Sequence, residues 1–257
     1  MTRIVKTMTF AIISMVVLAV CASCSLENQF SEQGVIDYLE NKYNVEFTYK
    51  NTVGNGELTS KTNVSAFAEQ NEHPDKQVFV VAELSGGKVT YKDNYVAIKY
   101  EDKTVETINK ALKEALNDYK LVYTPVVGRT LGDNYDNDTS FDDYIKRGDN
   151  LISFDIILPD NVELDYNATE ISRIKRELAN ISIHCVVDVY KAKDKSIYDK
   201  IEGYSDYFDK EASFDAEFHF EINEKARKEI EKEQEKEEST TEVKDTTTEN
   251  TEVTSET

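Results

Sequence analysis

The chain has 257 residues, with 50 acidic and 30 basic side chains and a formal net charge of −20. Glycine and proline number only 9 and 3, which excludes collagen-like and Pro/Gly-rich low-complexity chains. Three cysteines cannot hold a fold of this length together through disulfides. The negative charge argues against binding to a nucleic-acid backbone, which needs clustered lysine and arginine.

The N-terminus has the composition of an export signal. Arg3 and Lys6 are accompanied by no acid, and the thirteen residues 8–20 are mostly apolar. A basic start, a short apolar run and small residues after it are typical of a secretory signal. Thirteen residues span about 20 Å of helix, which is short of the ~30 Å hydrocarbon core of a bilayer. The pattern therefore predicts a signal peptide rather than a transmembrane helix.

A pair of cysteines follows this apolar run, within the sequence LAVCASCS at 18–25. The run resembles the signal of bacterial membrane lipoproteins of the Gram-positive type, in which small residues precede a cysteine that receives diacylglycerol and becomes the mature N-terminus. Cys24 follows the small Ser23, whereas Cys21 follows the bulkier Val20. The resemblance implies lipidation of Cys24 and anchoring at the extracytoplasmic face of the cell membrane. The alternative is ordinary secretion, with cleavage close to Cys21.

Hydropathy then alternates between helical and strand periods up to about residue 222. Ser31 is a suitable N-cap for the first helix, and Gly86-Gly87 is a suitable two-residue hairpin turn. The segment 51–74 is polar and predicted to be irregular. The predicted helices are 33–43, 104–119, 141–147, 170–181 and 197–208. The predicted strands are 45–49, 78–84, 88–91, 95–100, 121–127, 151–158, 183–190 and 214–222.

The composition changes after residue 228. Residues 229–257 contain eleven acids, three bases, eight threonines and no aromatic residue, so they cannot bury enough apolar surface to offset their ordering entropy. They are predicted to start as a charged helical extension and to end as a disordered Thr/Glu-rich tail. The predicted layout is a signal peptide 1–23, a tether 24–32, a first α+β subdomain 33–128, an acidic linker loop 129–140, a second α+β subdomain 141–228 and the tail 229–257.

The predicted fold class is α+β, with mixed or antiparallel sheets, helices packed on one face and an acidic C-terminal tail. The strands alternate polar and apolar residues, which favours sheets with one solvated face over a fully buried parallel sheet. Asp37-Tyr38-Leu39 and Asp143-Tyr144-Ile145 each precede a strand, which raises the hypothesis of two similar subdomains. A shared binary pattern explains the same match without duplication.

The strand around residue 185 holds the first candidate chemistry. Cys185 shares an apolar face with Val187 and Val189, which predicts a small core residue rather than a reactive thiol. His184 lies on the opposite, polar face, and His219 lies on the polar face of the last strand. If the two strands pair, the histidines and nearby carboxylates form a candidate zinc site. The alternative is two solvated surface histidines.

The acidic loop 133–143 is the second candidate. Asp136 and Asp138 offer oxygen ligands for calcium. An EF-hand is excluded, because Thr139 stands where that loop needs glycine and Ile145 where it needs a bidentate glutamate. A looser calcium site and a plain acidic turn remain as alternatives.

No phosphate-binding glycine motif and no Gly-x-Ser-x-Gly nucleophile elbow occurs in the sequence, so no catalytic residue and no cofactor is predicted. The expected function is that of a lipid-anchored surface lipoprotein, non-enzymatic, that binds a protein or peptide partner or is structural at the cell envelope. Residues 24–228 alone carry −14, which favours a basic or cation-bridged partner. The alternatives are a solute-binding component of a transporter and an envelope hydrolase with a metal at His184 and His219.

Overall fold

The computed structural model describes residues 31–53, 63–126, 128–149, 152–162, 169–203 and 214–248. The chain forms two compact units. Of the described residues, the first unit contains those up to Lys99 together with those of 126–140, and the second contains those of 100–125 together with those from Phe141 onward. The sequence had placed 33–128 in one subdomain. Residues 100–125 belong instead with the second unit, because the strand they contain pairs with a strand of that unit.

The first unit is built on a four-stranded antiparallel sheet. Its strands are hydrogen-bonded in chain order, and one helix precedes them. The elements are α1 (Glu32–Tyr43), β1 (Phe47–Val53), β2 (Asn63–Gln70), β3 (His73–Ser85) and β4 (Lys88–Asp93).

Helix α1 begins as the sequence predicts. The Ser31 hydroxyl accepts a hydrogen bond from the backbone N–H of Gly34 at 3.1 Å, which satisfies one of the free donors of the first turn. The helix buries Val35, Leu39 and Tyr43. Ile36, at the neighbouring position to Val35, is only half-buried.

The hairpin between β3 and β4 is also confirmed. Gly86 and Gly87 have φ of 60° and 77°, the left-handed values that a two-residue type I′ turn requires at both positions. The prediction of an irregular segment over 51–74 is wrong where the structure describes it, since β2 and the start of β3 lie there. Strand β2 was missed because its buried face consists of Val64, Ala66 and Ala68, and alanine gives a weak strand signal.

Helix α2 (Tyr95–Ala115) starts nine residues earlier than predicted, so the predicted strand at 95–100 is wrong. Asn94 is its N-cap, because the Asn94 carbonyl accepts from the N–H groups of Ala97 and Ile98 at 3.0 and 3.2 Å. The first turn is a continuous apolar run that is buried in the fold. Periodicity alone does not separate such a run from a buried strand.

The second unit contains a mixed four-stranded sheet in the order β5-β6-β7-β8. Strands β6 and β7 are parallel, and the other pairs are antiparallel. The elements are β5 (Lys120–Tyr123), α3 (Phe141–Lys146), β6 (Ile152–Leu158), α4 (Thr169–Asn180), β7 (Cys185–Ala192), α5 (Lys195–Lys200), β8 (Phe214–Ile222) and α6 (Glu224–Thr248). The α+β class with antiparallel and mixed sheets is therefore confirmed, although strand connections differ between the two units.

The two faces of this sheet have different surroundings. Cys185, Val187 and Val189 are buried on one face, together with the apolar side of α4, from which Lys175 lies over the Phe220 ring. The opposite face carries Asp188 of β7 together with His219 and Glu221 of β8. One end of that face is closed by α5 through a cluster of Val122, Ile157, Ala192, Tyr198, Ile201 and Phe214.

Helix α6 continues further than the sequence indicated. Glu224 and Lys228, which are four residues apart, form an ion pair at 2.5 Å, and the helix continues to Thr248 through part of the region predicted to be disordered. Glu, Lys, Ala and Arg at its start are strong helix formers. The last nine residues, 249–257, and the predicted helical positions 204–208 lie outside the described residues. Asn167, which with Glu170 three residues on has the spacing of a capping box, also lies outside them.

Candidate functional site

His184 and His219 lie on the same face of the second sheet, because β7 and β8 pair as the zinc hypothesis required. Each histidine, however, has its own carboxylate partner from the neighbouring strand. His184 Nε2 lies 3.0 Å from Glu221 Oε1, and His219 Nδ1 lies 2.6 Å from Asp188 Oδ1. The hydrogen bond from His184 is the main reason that the pKa of Glu221 lies below its usual range.

The register keeps the two histidines apart. Asp188 is opposite His219, and His184 lies four residues before Asp188, so the histidines are roughly 13 Å apart along the sheet. Within the described ranges, no group of three or more His, Cys, Asp or Glu side chains is arranged to hold a metal ion. The structure therefore does not bring His184 and His219 into one site.

Cys185 is on the other face, as predicted. Its side chain is 1% exposed, and burial raises the pKa of its thiol. A buried thiol held in the neutral form is a poor nucleophile. Cys185 is a core residue.

The acidic loop closes on itself. Asp136 Oδ1 accepts hydrogen bonds from the Asp138 backbone N–H at 3.1 Å and from the Thr139 hydroxyl at 3.0 Å. The Thr139 hydroxyl in turn accepts from the Asp136 N–H at 2.9 Å. Thr139 and Tyr135 are buried, so the loop is an ordered polar turn. Asp136 and Asp138 serve the turn itself.

A cavity of about 670 Å³ lies in the second unit, at the start of α6. Three parts of the chain form it: the end of α3 with the turn that follows, the residues before β7, and the first turns of α6. Its cationic lining residues are Lys146, Lys225, Arg227, Lys228 and Lys232. Its other lining residues are Gly148, His184, Asn223, Glu224 and Glu229.

Gly148 and His184, which both line this cavity, lie in close contact. The His184 N–H donates to the Ile145 carbonyl at 2.8 Å, which fixes the segment before β7 against α3. A Cβ added at Gly148 would lie 2.7 Å from His184 Cε1 and 2.8 Å from Nδ1. Only glycine therefore leaves the imidazole ring in its place, where it also contacts Glu221.

The start of α6 is fixed by two sets of hydrogen bonds. Asn223 Oδ1 caps the helix by accepting from the Ala226 N–H at 2.9 Å. Arg227 Nη1 donates to the carbonyls of Ser182 and Ile183 at 2.8 and 3.1 Å. Arg227 and Glu231 are four residues apart, which is the spacing of an ion pair along a helix. The guanidinium instead ties α6 to the turn before β7, where Ser182 has a φ of 57°.

Sequence reasoning missed this cavity. Five cationic and two anionic side chains give its lining a net charge of +3, with the imidazole of His184 counted as neutral, whereas the whole chain carries −20. The available signal was the lysine spacing over 225–232, which places cations on one side of a helix. The contributions from Lys146 and His184 depend on the tertiary fold and leave no local pattern.

A second missed feature is a buried carboxylate in the first unit. The Asp93 side chain, 0% exposed, accepts hydrogen bonds from the Tyr38 and Tyr43 hydroxyls and from Lys42 Nζ, each at 2.7 Å, and from the Tyr95 N–H at 2.8 Å. Burial, followed by the charge of Asp93, raises the pKa of both tyrosines. Asp93 thus joins α1 to the start of α2. The sequence signal for this arrangement was the pair Asp93-Asn94 immediately before the apolar residues 95–98, which is typical of a helix start.

Cys24 lies outside the described residues, as do residues 1–30 as a whole. In the part of the chain that the structure describes, no helix combines the length and the apolar character needed to span a bilayer.

Comparison with known proteins adds little to this geometry. The chain matches no family model and no curated protein. Among solved structures, the crystal structure of a DUF5037 family protein from Ruminococcus gnavus is similar to it over 65% of this chain and 76% of that chain, with 14% sequence identity and a TM-score of 0.37. That likeness assigns no function.

Proposed function

We propose that the protein is a non-enzymatic lipoprotein, anchored at the extracytoplasmic face of the bacterial membrane through acyl chains on Cys24, that binds a protein or peptide partner or is structural at the envelope. The observation that carries the proposal is the N-terminal pattern, with its basic start, its apolar run at 8–20 and the small residues before Cys24. Two acyl chains give stable anchoring, at about 0.8 kcal/mol per buried CH₂, where one chain binds only marginally.

The charge of the chain indicates the kind of protein partner. Residues 24–228 carry −14 and residues 229–257 carry −8, so an acidic protein would be repelled on approach. A basic or cation-bridged partner is favoured. Pull-down from envelope extract should then recover less partner at about 0.5 M than at about 0.05 M salt, because salt screens exposed charges. Equal recovery at both salt concentrations would contradict an electrostatic role.

The solute-binding alternative has one feature in its favour, which is the cation-lined cavity. Its volume of about 670 Å³ is within the range of small-molecule sites. The hydrolase alternative depended on one metal held by both His184 and His219. Their separation along the sheet removes its support.

The anchoring proposal is tested by metabolic labelling with a palmitate analogue. The wild-type chain is expected to take up label and to fractionate with membranes. Cys24→Ala is expected to be unlabelled and released, because it lacks the thiol that accepts the lipid. Cys21→Ala is the matched control, since Cys21 is predicted to leave with the signal peptide, and it should be labelled as the wild type is. An unlabelled wild type, or label lost only in Cys21→Ala, would overturn the assignment.

A further inference from the structure

We propose that the cation-lined cavity at the start of α6 binds a ligand carrying two or more phosphate groups. The inference goes beyond the proposed anchoring and does not depend on it.

The first argument is the contrast between local and total charge. Like charges brought close together on a surface repel one another. In a chain with 20 surplus acids, Lys146 from α3 nevertheless converges with four cations of α6 around one concave surface. An anion bound among these side chains would relieve that repulsion. Such an arrangement across separate elements is the electrostatic pattern of an anion site.

The second argument is the spacing of the cations on α6. Lys225, Lys228 and Lys232 follow a 3,4 pattern, which places them along one side of the helix. From Lys225 to Lys232 the rise is seven residues, or about 10 Å. A single tetrahedral anion cannot reach ammonium groups along that length, whereas a ligand with several phosphates can.

The third argument favours phosphate over carboxylate. Arginine guanidinium binds both groups in a two-pronged geometry, whereas lysine acts as a point charge and gains more from a phosphate monoester, with nearly two negative charges, than from a carboxylate with one. Arg227 Nη1 already donates to two carbonyls, those of Ser182 and Ile183. The ammonium groups of lysine remain, and lysine binds phosphate as a point charge.

The lysines of α6 are available to a ligand. Lys228 pairs with Glu224 and Lys225 with Glu229, but the four side chains of these i,i+4 pairs are between 62% and 85% exposed. Exposed pairs of this kind are weak. A doubly charged phosphate can therefore displace the glutamates.

Size and lining indicate the rest of the ligand. The cavity is larger than an inorganic ion and lies within the range that holds small organic molecules. Its lining is polar or charged throughout, apart from Gly148. The group that links the phosphates is therefore polar or absent, as in a phosphorylated polyol or an oligophosphate.

The test is calorimetric titration of the full-length chain, purified in a non-ionic detergent, with tripolyphosphate, orthophosphate and citrate. Tripolyphosphate is expected to bind tightest, and Lys146→Ala/Lys232→Ala is expected to raise its Kd about tenfold or more, since each lysine supplies a charge-assisted contact. The matched control is Lys110→Ala/Lys113→Ala, which removes the same charge from exposed positions of α2 and should change the Kd by less than about twofold. Circular dichroism confirms that both variants are folded.

Several outcomes would overturn the proposal. These are the absence of tripolyphosphate binding by the wild type, equal weakening in both double variants, and tighter binding of citrate than of tripolyphosphate. Vesicles containing phosphatidylglycerol distinguish the source of the phosphates, and this test uses Cys24→Ala as the background, so that acyl chains do not themselves hold the protein on the vesicle. Vesicle binding by Cys24→Ala that the additional changes Lys146→Ala/Lys232→Ala abolish would support the site with lipid headgroups as ligand. Tripolyphosphate binding without vesicle binding would support it with a soluble or polymeric phosphate.

Discussion

Burial sets the chemistry of the titratable side chains Cys185, Tyr38 and Tyr43. Water stabilises a thiolate or a phenolate far better than an apolar interior does, so each buried group keeps its proton. Cys185 has an apolar strand face around it. The two tyrosines also face the charge of Asp93, which disfavours a second anion beside it. Each group therefore has a structural role that a measurement of its reactivity can test.

Cys185 is expected to be unreactive in the folded protein. In the full chain carrying Cys21→Ala and Cys24→Ala it is the sole thiol, and burial keeps it protonated. Labelling by a chromogenic disulfide should be at least about 100-fold slower in native buffer than in guanidinium, because reaction requires local or global opening. Fast labelling under native conditions would show that Cys185 is accessible, contrary to its place in the core.

The tyrosines beside Asp93 are expected to make the protein sensitive to alkali. In the unfolded chain tyrosine ionises near pH 10, while folded Tyr43 keeps its proton because its pKa is raised. Above about pH 10 the unfolded state binds fewer protons, so the free energy of unfolding falls as pH rises. Tyr43→Phe should be about 1–2 kcal/mol less stable at pH 7 through the lost buried hydrogen bond. Above pH 10 the free energy of unfolding should fall less steeply with pH in Tyr43→Phe than in the wild type. The two slopes should differ by about 1.4 kcal/mol per pH unit, the contribution of one titrating group. Urea unfolding across pH 7–11 measures both effects, and parallel curves above pH 10 would contradict the second.

At the scale of elements, the fold depends on single side chains that connect the ends of helices and strands through hydrogen bonds. Asn94 joins β3, α2 and the segment at Val126, because its side chain accepts from the Phe79 N–H at 2.7 Å and donates to the Val126 carbonyl, while its own carbonyl caps α2. In the second unit, Arg227 connects α6 to the segment before β7. Both residues satisfy backbone groups that no regular element can pair.

Asn94→Ala is expected to destabilise the protein by about 3 kcal/mol. It leaves a buried N–H and a buried carbonyl without partners, and each such group costs about 1–3 kcal/mol. Ser31→Ala is the matched comparison, since it removes the N-cap of α1 at a half-buried position, where about 1 kcal/mol is typical. Thermal or urea unfolding of both variants gives the difference. The main-chain carbonyl that caps α2 is kept in Asn94→Ala, so losses equal to that of Ser31→Ala would show that the buried junction made by the Asn94 side chain contributes no more than an ordinary half-buried cap.

At the scale of the whole molecule, charge is the dominant property. A chain with a net charge of −20 repels itself, and the compact state concentrates that repulsion more than the unfolded one does. The chain nevertheless gathers cations at one place, the cavity at the start of α6. The net charge therefore governs the behaviour of the protein in salt, while the local charge governs what that cavity binds.

Salt is expected to stabilise the protein at neutral pH. Raising sodium chloride from about 0.05 to about 0.5 M shortens the screening length and weakens the repulsion among surplus acids. We expect the free energy of unfolding to rise by about 1 kcal/mol, which corresponds to an increase of about 2–4 °C in Tm for a domain of 150–250 residues. Scanning calorimetry at pH 7 measures this increase. The control is the same pair of scans near pH 4.6, the isoelectric point of the sequence, where the increase should vanish. A fall in Tm at pH 7 would contradict the argument.

The sequence by itself was sufficient where the signal is local. Ser31 caps a helix through a bond to a residue three positions away, and Gly86-Gly87 sets a turn through its own backbone angles. The alternation around Cys185 predicted its buried face, because successive side chains of a strand point to opposite sides. These features can be predicted without knowing which residues pack against them.

Only the tertiary structure decided the features that join distant segments. The apolar run at the start of α2 suits a strand or a helix equally, and its capping by Asn94 depends on contacts with Phe79 and Val126. His184 and His219 share a sheet face as expected, but the strand register gave each a carboxylate neighbour instead of the other histidine. The cavity at the start of α6 gathers residues far apart in the chain. Register and packing depend on burial and hydrogen bonding across the whole fold, which no local pattern encodes.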